Sequence, residues 1–129
     1  MTKTTIHNIE ITGVSVALPT QKIPVTSYIN AFGEDIIKKF ITTTGVESIC
    51  RAIPQQTASD LGFEAANNLL KTKKINKDEI GVILFISQKP DFRAPASSYI
   101  IHDRLGLGKN CLCLDINLAC SGFIVALHT

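Results

Sequence analysis

Close to the end of the chain a short apolar segment, Cys111-Leu112-Cys113-Leu114-Asp115-Ile116-Asn117, runs into Leu118-Ala119-Cys120-Ser121-Gly122-Phe123. A strand that delivers a cysteine to the first turn of a helix favours the thiolate. Unpaired backbone N–H groups and the helix dipole both stabilise negative charge there, and the thiolate is the nucleophilic form. A free cysteine ordinarily serves as a small core residue. Cys120 departs from that pattern through its neighbours. Ala119 is small, Ser121-Gly122 leaves room for another backbone or a ligand, and Phe123 to Leu127 reads as a helix buried on nearly all sides. The chemistry expected at Cys120 is nucleophilic, with the thiol at a helix tip facing a cavity.

The other candidate groups are weaker. Cys50, Cys111, Cys113 and Cys120 form no C-x-x-C pair and have no histidine at zinc-ligand spacing. Neither a metal site nor a disulfide framework is expected, and all four are read as reduced thiols. Cys111 and Cys113 lie two apart in a strand, hence on one face, where core packing is their expected role. His128 lies eight residues beyond Cys120, roughly 12 Å along a helix, out of reach of the thiol. His7, in the first expected strand, and His102, in a helix, are read as ordinary surface or core histidines.

These groups need a scaffold. With 129 residues, 45% of them apolar, the chain has material for one domain with a sizeable core. Thirteen Lys and Arg against eleven Asp and Glu leave a formal charge of +2, which points to neither a nucleic-acid nor a membrane partner. No apolar run is long enough to span a bilayer, and Met1-Thr-Lys-Thr-Thr5 lacks the apolar centre of a signal peptide. A cytoplasmic protein is expected.

Ile6 to Leu18, rich in β-branched residues and closed by Pro19, reads as the first strand. After a loop through Pro24, a helix is expected from Thr26 or Ser27, broken at Gly33 and ended by Gly45. Thr57-Ala58-Ser59-Asp60 is a capping-box-like start to a helix running to about Lys73, where Lys71, Lys73, Lys74 and Lys77 complement the dipole. Ile80 to Ile86 is an uninterrupted apolar run, as for a parallel strand covered on both faces. A loop over 87–94 follows, then a helix with Pro95 in its first turn and Ser97 to Leu105 inside it, stopped by Gly106, then the strand leading to Cys120. The order strand, helix, helix, strand, helix, strand, helix predicts an α/β protein with a largely parallel sheet, in which ligands bind beyond the carboxyl ends of the strands. The last helix, expected to begin at Cys120, meets no cap before Thr129, and the earlier elements are too few to cover it. The chain reads as an amino-terminal piece of a longer protein.

Four motifs in this order resemble the amino-terminal part of the β-ketoacyl-acyl carrier protein synthase III family, within the thiolase-like superfamily. They are Thr44-Gly45-Val46, Thr57 through Gly62-Phe63-Glu64-Ala65-Ala66, Ile80-Gly81-Val82-Ile83, and Asp115 through Cys120 to Phe123. The resemblance spans nearly the whole chain. It implies part of a layered αβαβα fold: residues 1–129 as an incomplete amino-terminal thiolase-like domain without its carboxyl-terminal half.

It also implies a Claisen condensation. Cys120 would take an acyl group from acyl-CoA or an acyl-carrier protein, and malonyl-acyl carrier protein would then decarboxylate and attack the bound acyl carbon. The acyl-CoA and malonyl-acyl carrier protein are substrates; no permanently bound cofactor and no metal is implied. A histidine and an asparagine from the second half would complete the site, and the full-length protein would be a homodimer with acyl carrier protein as partner. Lys39 and Thr43 stand where such enzymes often carry the Trp and Arg that hold the adenine end of CoA, so stacking on the nucleotide is not expected here. Ala94 stands where a Phe often limits the acyl pocket, implying room for a larger acyl group. The alternative is a non-catalytic partner or binding subunit that keeps the fold.

Overall fold

The structure, a computed structural model, describes residue 5 and residues 7–129. Its first strand, β1 (Gln21–Pro24), pairs antiparallel with β2 (Ser48–Arg51), Gln21 opposite Arg51 and Pro24 opposite Ser48. Between them lie a 3-10 turn (Val25–Tyr28), the short helix α1 (Ile29–Phe32) and helix α2 (Glu34–Thr44). Gly33, at φ 88° and ψ 151°, separates the helices as its position in the sequence implied, and Gly45 ends α2 in the left-handed region. Val25 and Ile37 form the small core of this part.

The expected strand over Ile6–Leu18 is not formed. Ile6 lies outside the described residues, and residues 7–18 make no strand pairing. The segment lies along helix α3 (Ala58–Lys73): a Cβ on Gly13 would come 2.9 Å from Leu69 Cδ1. Its small residues Gly13, Ser15 and Ala17 are half-buried, while Val14, Val16 and Leu18 face outward at 66% exposure or more. Alternating apolar residues favour extended backbone, but a strand also needs a partner's ladder of hydrogen bonds, which local sequence does not specify. β1 and β2 were invisible for the converse reason. Gln21-Lys22 carries no apolar pattern, and the pairing joins segments far apart in sequence.

Helix α3 starts as the sequence predicts. Thr57 Oγ1 accepts from the Asp60 N–H, and the Asp60 carboxylate accepts from the Thr57 N–H at 2.9 Å, completing a capping box. The other oxygen of Asp60 pairs with Arg104 at 2.7 Å, and the Arg104 guanidinium lies 4.2 Å from the centre of the Phe63 ring. This ties α3 to helix α4 (Ser97–Leu105). The Thr57 N–H, then Arg104, hold the Asp60 carboxyl below its ordinary value of 3.8. A depressed carboxyl contributes stability above the unfolded value that is lost as pH falls through the folded one. Thermal melts should therefore show a decline below about pH 4 that is shallower in Asp60→Asn. The effect is modest, because both partners are about a third exposed. Superimposable acid profiles would refute the assignment.

Strand β3 (Val82–Ile86) pairs in parallel with β4 (Leu112–Ile116), Val82 opposite Leu112 and Ile86 opposite Ile116. Helix α4 packs against both strands, and the final helix α5 (Gly122–His128) packs against β3. Ile101 and Leu105 of α4 and Cys113 of β4 make the buried centre here. The parallel α/β architecture is as expected, with α4 on one face of the pair and α5 against Ile86 on the other. Cys113 faces α4, whereas Leu112 and Leu114 on the opposite face are 52% and 37% exposed.

Candidate active site

β4 ends at Ile116, and Cys120 sits in the turn before α5, two residues short of the helix start at Gly122. The expectation that the helix begins at Cys120 itself is corrected by that turn. The Gly122 N–H donates to the Ala119 carbonyl at 2.9 Å, a tighter closure than an α-helical turn. Cys120 is exposed and carries a free thiol. Its turn is held by close packing: Gly122 is buried, and a Cβ there would lie 2.5 Å from Ile86 Cγ2 at the end of β3. Only glycine admits that approach.

The loop over 87–96 leaves the carboxyl end of β3, beside the strand that leads to Cys120. Ala94 lies in this loop and is exposed. The two segments thus emerge from the same end of adjacent parallel strands, where α/β sheets place their ligands. The Ser87 N–H donates to the Ile116 carbonyl at 3.2 Å, tying the start of the loop to the end of β4. Lys39 and Thr43 are exposed on successive turns of α2, which packs on α1 and the 3-10 turn rather than forming part of the parallel pair. An apolar cleft of about 330 Å³ lies on that part of the molecule, lined by Tyr28, Phe32, Ile36, Phe40 and Ile49 among others.

Asp115 organises this end of the sheet, a role that no local sequence pattern assigns to it. Its Oδ2 accepts from the Ser97 N–H at 2.7 Å and its Oδ1 from the Ser98 N–H at 2.8 Å, while Ala96, the residue just before α4, provides no side-chain cap. A carboxylate from the neighbouring strand therefore takes the place of the usual cap and holds the helix N-terminus that follows Ala94. The available signal was an acidic residue inside the apolar run Leu112 to Ile116. Asp91 acts similarly on α3, accepting from the Ser59 N–H at 3.3 Å.

His102, Cys111 and Cys113 also come together, with one ligand atom from each within 4.8 Å of the others. No zinc-ligand spacing is present in the sequence because the histidine comes from a helix and the cysteines from the start of the next strand. Cys113 is buried, as core packing required, but Cys111 is only half-buried. Burial first, then the neighbouring Cys111 and the charge of Asp115, push the Cys113 thiol up from its ordinary value.

No family model matches the chain. Individual proteins do. It is 31% identical over 124 residues to a β-ketoacyl-acyl carrier protein synthase III of Clostridium acetobutylicum, covering 96% of this chain and 37% of that protein. Among solved structures, a 3-oxoacyl-acyl carrier protein synthase III matches with a TM-score of 0.83 at 29% identity, over 92% of this chain and 35% of that one. A 3-oxoacyl-acyl carrier protein synthase from Burkholderia xenovorans matches at 0.80 and 30%, over 89% and 34%. The chain belongs to the β-ketoacyl-acyl carrier protein synthase III family. Its fold is thiolase-like. The chain spans little more than a third of the length of the curated relatives it matches, 36% and 37% for two of them. No described helix is long and apolar enough to cross a membrane.

Proposed function

We propose that the protein containing this chain is a condensing acyltransferase in fatty acid or specialised acyl-chain synthesis, with Cys120 as its nucleophile. The Cys120 sulfur attacks the carbonyl carbon of an acyl thioester, acyl-CoA or acyl-carrier protein. A tetrahedral oxyanion forms, held in part by the Cys120 N–H, and collapses with loss of the donor thiol. The acyl group then rests on Cys120. Malonyl-acyl carrier protein loses CO2, its carbanion forms the new C–C bond at the acyl carbon, and the Cys120–acyl bond breaks to return the thiolate. Residues beyond this chain, a histidine and an asparagine by family resemblance, would stabilise the enolate.

The observation that carries this reading is the exposed thiol of Cys120 at the carboxyl end of the parallel pair, in a chain of this family. Acyl carrier protein as partner, a homodimeric assembly and a cytoplasmic location belong to the same proposal. Ala94, exposed in the adjoining loop, is proposed to leave space for acyl groups bulkier than acetyl. The test is to incubate the full-length protein with acyl-CoAs of increasing chain length and map the adduct by mass spectrometry. Acylation is expected at Cys120, with Ala94→Phe narrowing the accepted range. Acylation at Cys50, Cys111 or Cys113 instead, or none at all, would sink the nucleophile assignment. An unchanged chain-length profile in Ala94→Phe would refute the pocket assignment alone.

A further inference from the structure

The condensation uses one end of β4, and the other end carries a separate constellation. Cys111 immediately precedes the strand and Cys113 is its second residue, whereas Cys120 lies beyond the strand's far end. Period-two alternation puts both sulfurs on the face toward α4, and His102 on that helix reaches down to them. All three ligand atoms lie within 4.8 Å of one another. We propose that His102, Cys111 and Cys113 form a binding site for a thiophilic d10 cation, zinc(II), with a fourth position open to water or an outside ligand.

The donor set is the first argument. Two thiolates and an imidazole are ligands that zinc prefers, and three protein ligands with one open position is a known arrangement. Geometry is the second. Tetrahedral bonds of about 2.0–2.3 Å place neighbouring ligand atoms roughly 3.3–3.8 Å apart, and the three ligand atoms already lie within 4.8 Å of one another. The third is the orientation of the imidazole. His102 Nε2 lies 3.0 Å from the Gly108 carbonyl. A carbonyl only accepts, so Nε2 carries a proton in this contact, and Nδ1 is the ring nitrogen that would be left to bind a metal, an orientation that a backbone partner commonly fixes in metal-bound histidines. Gly108 lies in the short connection from α4 to β4, begun by Gly106 in the left-handed region. Bound zinc would clamp the end of α4 to the start of β4.

Binding releases both thiol protons: the cation and two S–H groups give two metal–sulfur bonds and two H⁺. Apparent affinity should therefore rise with pH, by up to about 100-fold per unit while both thiols are protonated.

The test uses full-length protein stripped with a chelator and titrated with cobalt(II), whose thiolate charge-transfer and tetrahedral d–d absorptions report ligand type and geometry. One equivalent of cobalt should bind with both signatures and be displaced by zinc(II). Cys111→Ser and His102→Gln, checked for native circular dichroism without metal, should each weaken binding by at least about 10-fold. Cys50→Ser and Cys120→Ser should leave it unchanged. Absence of a stoichiometric thiolate band would overturn the site, as would wild-type affinity in folded Cys111→Ser and His102→Gln. Loss of binding in Cys120→Ser would overturn it too, by placing the metal at the other end of the strand.

Discussion

Replacing Cys120 by serine in the full-length protein is expected to lower condensation by roughly 10³-fold or more, with the melting temperature almost unmoved. The two halves of this expectation have different causes. Cys120 is exposed among the described residues, and exchanging sulfur for oxygen in an exposed side chain changes stability little. Chemistry is another matter. A thiolate is accessible near neutral pH and exchanges one thioester for another of similar energy, whereas an alcohol is almost wholly protonated and would form a more stable oxygen ester. Steady-state assay with an acyl-CoA and malonyl-acyl carrier protein, beside a thermal melt, measures both. Activity surviving at wild-type level would show that the nucleophile lies elsewhere.

Asp115→Ala is expected to cost about 2–4 kcal/mol of stability, since hydrogen bonds to a charged group each contribute about 1.5–3 kcal/mol and rarely add in full. The carboxylate accepts from both Ser97 and Ser98, residues with no exposed surface. Its removal strands two buried N–H groups at a helix start that has no other side-chain cap. The loop bearing Ala94 leads directly into that helix, so Cys120 acylation by longer acyl-CoAs should also slow. Chemical denaturation of wild type, Asp115→Asn and Asp115→Ala should rank them in that order, because the amide retains one acceptor. A change under about 0.5 kcal/mol would mean that water replaces the carboxylate without loss.

Elements whose causes are local were legible in the sequence. Thr57 and Asp60 specify the start of α3 through a reciprocal cap three residues apart, and Gly45 and Gly106 end α2 and α4 because each occupies the left-handed conformation that glycine adopts without penalty. β3 and β4 appeared as apolar runs within a residue or two of their observed bounds. The segment over 7–18 did not become a strand because its pattern speaks for extended backbone and is silent on partners. The same silence hid β1 and β2, whose polar sequence gains regularity only from each other.

The site divides in the same way. The sequence by itself determined the family and the parallel α/β order, and it supplied the candidate nucleophile, because Asp115 through Phe123 is a contiguous motif whose residue types carry their own chemistry. Only the tertiary structure decided that Gly122 must be glycine to seat against Ile86, and that Asp115 caps a helix begun eighteen residues earlier. It also decided that His102 meets Cys111 and Cys113. Each of those relations joins side chains on different elements. Their spacing along the chain reflects loop lengths and strand register rather than the distance between them in space, so no local pattern encodes them.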